Sequence, residues 1–402
     1  MNRPLLRPLI RPPIPPLTPP LIRRRQHGLA TLTMCVVLLG VLALGAAWAT
    51  RQLVTAQRVA ANDLRAAAAS EAAESGMAWA IALLNSGAID DACRPASLRP
   101  GPGPGPGPGA TVSSDFRSRF LLIGADGHYH APPLPSGSAA TPPPPTSATP
   151  AIPACANSGP LRWSCRCAAT AGTPWDATTA PRADGEAQPQ FSIRFADAGG
   201  IGQLKLIVRG CSDRRADCDD LSGGPIGVTE NVQQLALLSA LRLPPPAALV
   251  EGPGSFLRVF GYPSARYRDQ PAITRLRCTD DCSGPLAQAL ARGRRLIWVD
   301  GDARLTEWPA PALDGTPLVL VVDGRLDLLA SGHPQGVIYA ANGVDWHPPA
   351  DQPTSLRGAL VSEIPVTKAG SVQLIHDAGV LYRIHRQMGS FLPVPGGWTP
   401  NR

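Results

Sequence analysis

From Gly28 to Thr50 the chain reads GLATLTMCVVLLGVLALGAAWAT, a run without a charged side chain. Its 21 residues from Leu29 to Ala49 would rise roughly 30 Å as a helix, the thickness of a bilayer's hydrocarbon core. Arg3, Arg7, Arg11, Arg23, Arg24 and Arg25 precede the run and no acidic residue does. Positive charge is held on the cytoplasmic side of a membrane, so this asymmetry sets the N-terminus inside and everything beyond Ala49 outside.

Ordinary membrane anchors reach a linker soon after the lipid, and this one does not. No proline occurs from Leu29 to Ser86, and alanine dominates VTAQRVAANDLRAAAASEAAESGMAWAIALLNSG. Propensity alone makes this helix, with a stop expected near Asn85, Ser86 and Gly87. The expected rod is roughly 85 Å long, too long to stand without neighbours. Arg51, Arg58 and Arg65 recur every seven residues and share one helix face, which reads as a solvated stripe.

Composition adds two constraints. Net charge is +7 and the isoelectric point about 9.1, but the six arginines before the apolar run account for six of those charges. The basic balance therefore reports topology, and no nucleic-acid partner is expected. Of nine cysteines, Cys35 lies in the apolar run and eight lie beyond it: Cys93, Cys155, Cys165, Cys167, Cys211, Cys218, Cys278 and Cys282. An even number in an oxidising compartment reads as up to four disulfides, with pairing open; Cys278 with Cys282 is the easiest local pair. Zinc ranks well below disulfides, since no CxxC pair occurs.

Five segments follow: a Pro/Arg-rich leader, 1–28; a transmembrane and stalk helix, 29–90; Pro/Gly-rich linkers with a short β segment, 91–153; a Cys-containing β-rich region, 154–245; and a β-rich C-terminal head, 246–402. Phe191 to Phe195 and Leu204 to Val208 alternate around a Gly-rich turn, a hairpin signal. Gln233 to Leu241 reads as a short helix ended by Pro244. The last third is a series of short apolar runs punctuated by glycine, LIWVDG, PLVLVVDG, LDLLASG, GVIYAANG, LRGALVSE and AGVLYRI. They read as strands of a solenoid-like unit whose repeats are too irregular to name. The fold class expected is α+β: a long N-terminal transmembrane and stalk helix, linkers, and a β-rich, disulfide-containing periplasmic head.

Chemistry is sparse. HExxH, GxSxG, Walker and GxGxxG motifs are absent, so no enzyme, cofactor or metal is expected. His128 and His130 read as a surface loop. His376, Asp377 and His385 lack a nucleophile in a recognisable setting. Asp213, Asp217, Asp219 and Asp220 have the oxygen chemistry of a calcium loop without the EF-hand spacing; a solvated, disulfide-closed loop is the preferred reading.

A basic leader ending in Gly28, with Arg23, Arg24 and Arg25 upstream and an apolar helix starting at Leu29, resembles the class III signal of type IV pilins and type II secretion pseudopilins. The resemblance implies cleavage between Gly28 and Leu29 by prepilin peptidase, methylation of the new N-terminus, and packing of the helix among other pilins. Major pilins mostly carry glutamate at the fifth mature position, where this chain has Thr33. A hydroxyl there is cheaper to bury than a carboxylate and forms no ion pair. Ala72 to Met77 (AAESGM), LRLPPPAALV (Leu241 to Val250), the tail from Leu318, and FLPVPGGWTP (Phe391 to Pro400) are similar to PilX-type pilus assembly proteins. That likeness implies a minor pilin-like component of the inner membrane and then of the filament, with major and minor pilins and a tip adhesin as partners. Two alternatives stay open: a single-pass anchored periplasmic binding protein and a type II secretion pseudopilin. A Sec-exported enzyme cut near Ala47 to Ala49 fits worse.

Overall fold

The computed structural model describes residues 28–95, 114–124, 126–130, 152–159, 162–167, 188–213 and 227–401. The chain divides into two compact units, Met1–Ala61 and Asn62–Arg402. One helix, α1 (Gly28–Leu84), supplies the described part of the first unit and the opening of the second. The fold class is α+β, an N-terminal apolar helix followed by a β-rich, disulfide-containing region.

Two small hairpin-like pairs follow α1: β1 (Ala88–Ile89) with β2 (Ser114–Asp115), and β3 (Leu122–Ile123) with β4 (Tyr129–His130). Between them Phe116–Phe120 forms a short helix, α2, capped by the Asp115 side chain on Ser118 N. The short β segment expected within 91–153 is thus divided: helical over Phe116–Phe120, and β at Ser114–Asp115, Leu122–Ile123 and Tyr129–His130. Most of the expected linkers lie outside the described residues.

An antiparallel sheet then wraps the C-terminal part of α1. Its strands are β5 (Ala154–Gly159), β6 (Arg162–Arg166), β7 (Gln190–Asp197), β8 (Gln203–Cys211) and β9 (Val228–Ser239). The last strand of the chain, β21 (Gly389–Asn401), returns to pair with β9, giving the order β21-β9-β8-β7-β5-β6. The hairpin expected from Phe191 and Leu204 is present, with Ile193 opposite Val208. The helix expected at Gln233 to Leu241 is not: residues through Ser239 continue β9, because β8 and β21 pair with both its edges. Cross-strand hydrogen bonds and burial of Leu235 outweigh the helical propensity of Gln, Leu and Ala.

The contact between α1 and this sheet explains the alanines. Ala69, Ala72, Ala73, Gly76, Ala80, Leu83 and Leu84 are buried at helical spacing. Opposite them, a Cβ on Gly210 would stand 2.1 Å from Ala69 O, and one on Gly76 would stand 2.7 Å from Phe191 and Val208. Small side chains on both surfaces bring helix and sheet close. Phe191, Ile193, Phe195, Leu204, Leu206 and Val208 fill the rest of this core.

The remaining strands form the solenoid. β10 (Leu249–Glu251) and β11 (Thr274–Leu276) flank pairs of strands in successive turns: β12 (Leu296–Val299) and β13 (Ala303–Leu305), then β14 (Leu318–Val322) and β15 (Leu326–Leu328). They continue with β16 (Gln335–Ala340) and β17 (Val344–Trp346), then β18 (Thr354–Ser362) and β19 (Thr367–Lys368), and end with β20 (Val372–Ile375). All pair in parallel, in the orders β10-β18-β16-β14-β12-β11, with β20 also on β18, and β13-β15-β17-β19. One register column reads Thr274, Ile297, Leu320, Ile338, Leu360. The turns differ in length, which is why the repeats look irregular in sequence.

Both faces of the larger sheet are covered. Inside, Ile297, Leu320, Ile338 and Leu360 meet Leu305, Leu328 and Trp346 of the smaller sheet. Outside, Trp298, Val321, Tyr339 and Val361 pack against helices α3 (Ser255–Phe260), α4 (Ser264–Arg268) and α6 (Ala378–Gln387), while α5 (Ser283–Ala291) joins the inner core. Strands buried on two faces read as unbroken apolar runs such as LVLVV. AGVLYRI, expected as a strand, lies in α6. Asp377 caps that helix by accepting from Val380 N at 3.0 Å, and Val380, Leu381 and Ile384 form its buried stripe.

Candidate assembly surface

The first unit offers one kind of surface. Every residue from Thr31 to Ala60 is exposed on α1. Leu39, Leu44 and Trp48 are 66%, 74% and 67% accessible, and Leu53, Val59 and, at the start of the second unit, Leu64 continue the pattern past the charge-free run. Leaving one such side chain in water instead of burying it forfeits about 1.5–3 kcal/mol. The charge-free part of this surface therefore calls for an apolar phase, and α1 is long and apolar enough to cross a membrane. Its hydroxyls suit such a phase: Thr50 and Thr55 donate to Ala46 O and Arg51 O, each at 2.7 Å, satisfying themselves within the helix.

Gly28 and Leu29 fall in the first turn of α1 and Thr33 stands exposed in the second. Arg23, Arg24 and Arg25 lie outside the described residues. Cys35 is a free, exposed thiol. Cys93 is bonded to Cys167, Cys155 to Cys165, and Cys278 to Cys282. Cys211 is also disulfide-bonded, and Cys218 lies outside the described residues.

At the far end of α1, in the second unit, a polar junction fixes the helix to the head. The Asn85 side chain donates to Ile81 O and to Phe391 O at 2.9 Å and accepts from Phe391 N at 2.8 Å, imitating a strand partner for β21. Arg117 on α2 donates to Leu84 O and to Gly389 O, and its guanidinium lies 4.7 Å above the Phe391 ring. Arg294 donates to Asn85 O at 2.9 Å. Two arginines thus bind the carbonyls where the helix dipole is negative. Burial draws Arg117 below the usual guanidinium value, and Tyr129 and Asp115 oppose that shift; burial also pushes Tyr129 up to about 12. Sequence reading missed this junction because its members come from four distant segments. Arg117→Met, which keeps the stem and removes the donors, should cost about 3 kcal/mol. Urea unfolding checks this, and an unchanged midpoint would mean that the carbonyls find other donors.

The polar clusters noted in the sequence occupy modest places. His128 and His130 stack at 6.3 Å, and His130 lies 3.6 Å from Asp197. His376 contacts Pro245 O at 2.9 Å and His385 contacts Leu241 O at 2.8 Å. Asp213 accepts from Gln188 N, while Asp217, Asp219 and Asp220 lie outside the described residues. Among the described residues no group of three or more His, Cys, Asp and Glu is placed to hold a metal ion. No family model, curated protein or solved structure matches the chain.

Proposed function

We propose that this chain is a minor pilin-like component of type IV pilus assembly, of the PilX type. Prepilin peptidase removes residues 1–28, and the mature protein stays in the inner membrane with its head in the periplasm until α1 is drawn into a filament. The observation that supports this best is the two-part character of one helix. Its first part is free of charge from Thr31 to Thr50 and uncovered as far as Ala60, and its second part is seated by small residues on an antiparallel sheet. The mechanism is packing rather than catalysis: apolar helix surface leaves lipid for equivalent surface on neighbouring pilin helices.

The test is Gly28→Leu, with N-terminal sequencing in cells with and without prepilin peptidase. Wild-type protein should begin at Leu29 only when the peptidase is present, and the variant should retain its leader. A wild-type chain that begins at Met1, or a variant of mature size, would overturn the proposal. The first result would favour a plain membrane anchor.

A further inference from the structure

A cleft of about 400 Å³ opens in the head beside the junction at the end of α1. Four elements converge on it: Asn85 and Ser86 after α1, Arg117 on α2, Arg294 and Arg295 between α5 and β12, and Arg383 and Gln387 on α6. The volume lies within the range of small-molecule sites.

The charges lining the cleft do not cancel. Asp115 is engaged in capping α2, and Asp314 is held by Arg295 at 2.7 Å and by Thr316 N at 2.8 Å. Arg117 spends its donors on carbonyls. Arg294 donates to Asn85 O and meets no carboxylate among the described residues. Burial and the neighbouring Arg292 both disfavour its charge. Among the described residues, Arg383 has only a 3.5 Å contact with Gln335. Arg383 and Gln387 stand one helical turn apart on α6, so both face the same side. A half-buried guanidinium, an exposed one and an amide thus line one concavity with donors to spare.

We infer that this cleft binds a phosphoryl-type dianion carried by a small molecule, held by Arg294, Arg383 and Gln387. Planar guanidinium groups present paired N–H donors that match phosphate oxygens, and a dianion relieves the mutual repulsion of Arg292 and Arg294. Since the lining comes from four elements, the ligand would also brace the stalk's end against the solenoid and raise stability by mass action.

The experiment is calorimetric titration of the full chain in a neutral detergent with inorganic phosphate, chloride holding the ionic strength constant. Saturable one-site binding is expected, weakened at least about tenfold by Arg383→Gln, as loss of a charge-assisted bond requires. Arg294→Gln should weaken it similarly, with circular dichroism confirming that this variant folds. Absence of saturable binding, or equal binding by wild type and Arg383→Gln, overturns the site. Acetate binding as tightly as phosphate overturns the dianion assignment. Binding to vesicles of anionic phospholipid without a response to inorganic phosphate overturns the small-molecule assignment. None of these results bears on leader cleavage at Gly28.

Discussion

Alanine at Gly358 is expected to destabilise the head by about 4 kcal/mol or more, the combined scale of a strained backbone and an overpacked core. Leu318, Gly336 and Gly358 stand side by side on the central strands β14, β16 and β18. Gly336 and Gly358 have φ of +143° and +138°, which side chains of L-residues rarely adopt. A Cβ on Gly358 would lie 1.9 Å from Gly336 O, and one on Gly336 would lie 1.8 Å from Leu318 O. The obstacle is the main chain of a paired strand, which cannot rotate away as a side chain can. Gly301 is the control: its φ is +83°, yet a Cβ there meets nothing within 4 Å. Gly301→Ala should cost only the backbone strain, about 1–2 kcal/mol. Urea unfolding of the two variants separates the two contributions. Equal losses at Gly301 and Gly358 would show that strand separation adjusts and that the column is not a steric seam.

The same column shows what could be read in advance. Apolar runs ending in glycine marked the strands of the solenoid, because burial on both faces leaves no polar alternation and each corner needs a turn residue. The long helix was equally visible, since alanine content and the absence of proline act locally. The two misread elements fail for complementary reasons. At β9 the local preference is helical and the neighbouring strands override it. At α6, AGVLYRI has strand-like residues, and the decisive signal was the cap at Asp377 just before them. The junction and the cleft were invisible for a third reason. Arg117, Arg294 and Arg383 are ordinary arginines until the fold brings them to one end of α1, and no spacing in the chain records that meeting. The leader's end at Gly28 remains readable only as sequence, because the residues before it lie outside the described structure.

The three disulfides with both partners described should rank by the chain they close, and among them Cys93–Cys167 should dominate. It joins residues 74 apart, against 10 for Cys155–Cys165 and 4 for Cys278–Cys282. Loop-closure entropy puts the three losses at about 4, 3 and 2 kcal/mol. Local structure reinforces the order. Cys155 and Cys165 are already partners across β5 and β6, so their strands stay paired without the bond. Cys93 has φ of +61°, unusual for a residue with a side chain. Asp90 holds that turn by accepting from Ala92 N and Arg94 N, and Arg119 fixes the other half by donating to Cys167 O at 2.7 Å and to Asp91 at 2.8 Å. Without the bond, Arg119 keeps its place only while the segment carrying Cys167 stays docked, so the loss should include part of that network. Paired serine variants, unfolded in urea under oxidising conditions, give the three values. A loss for Cys155–Cys165 as large as that for Cys93–Cys167 would mean that the long intervening chain is restrained in the unfolded state by something other than this bond.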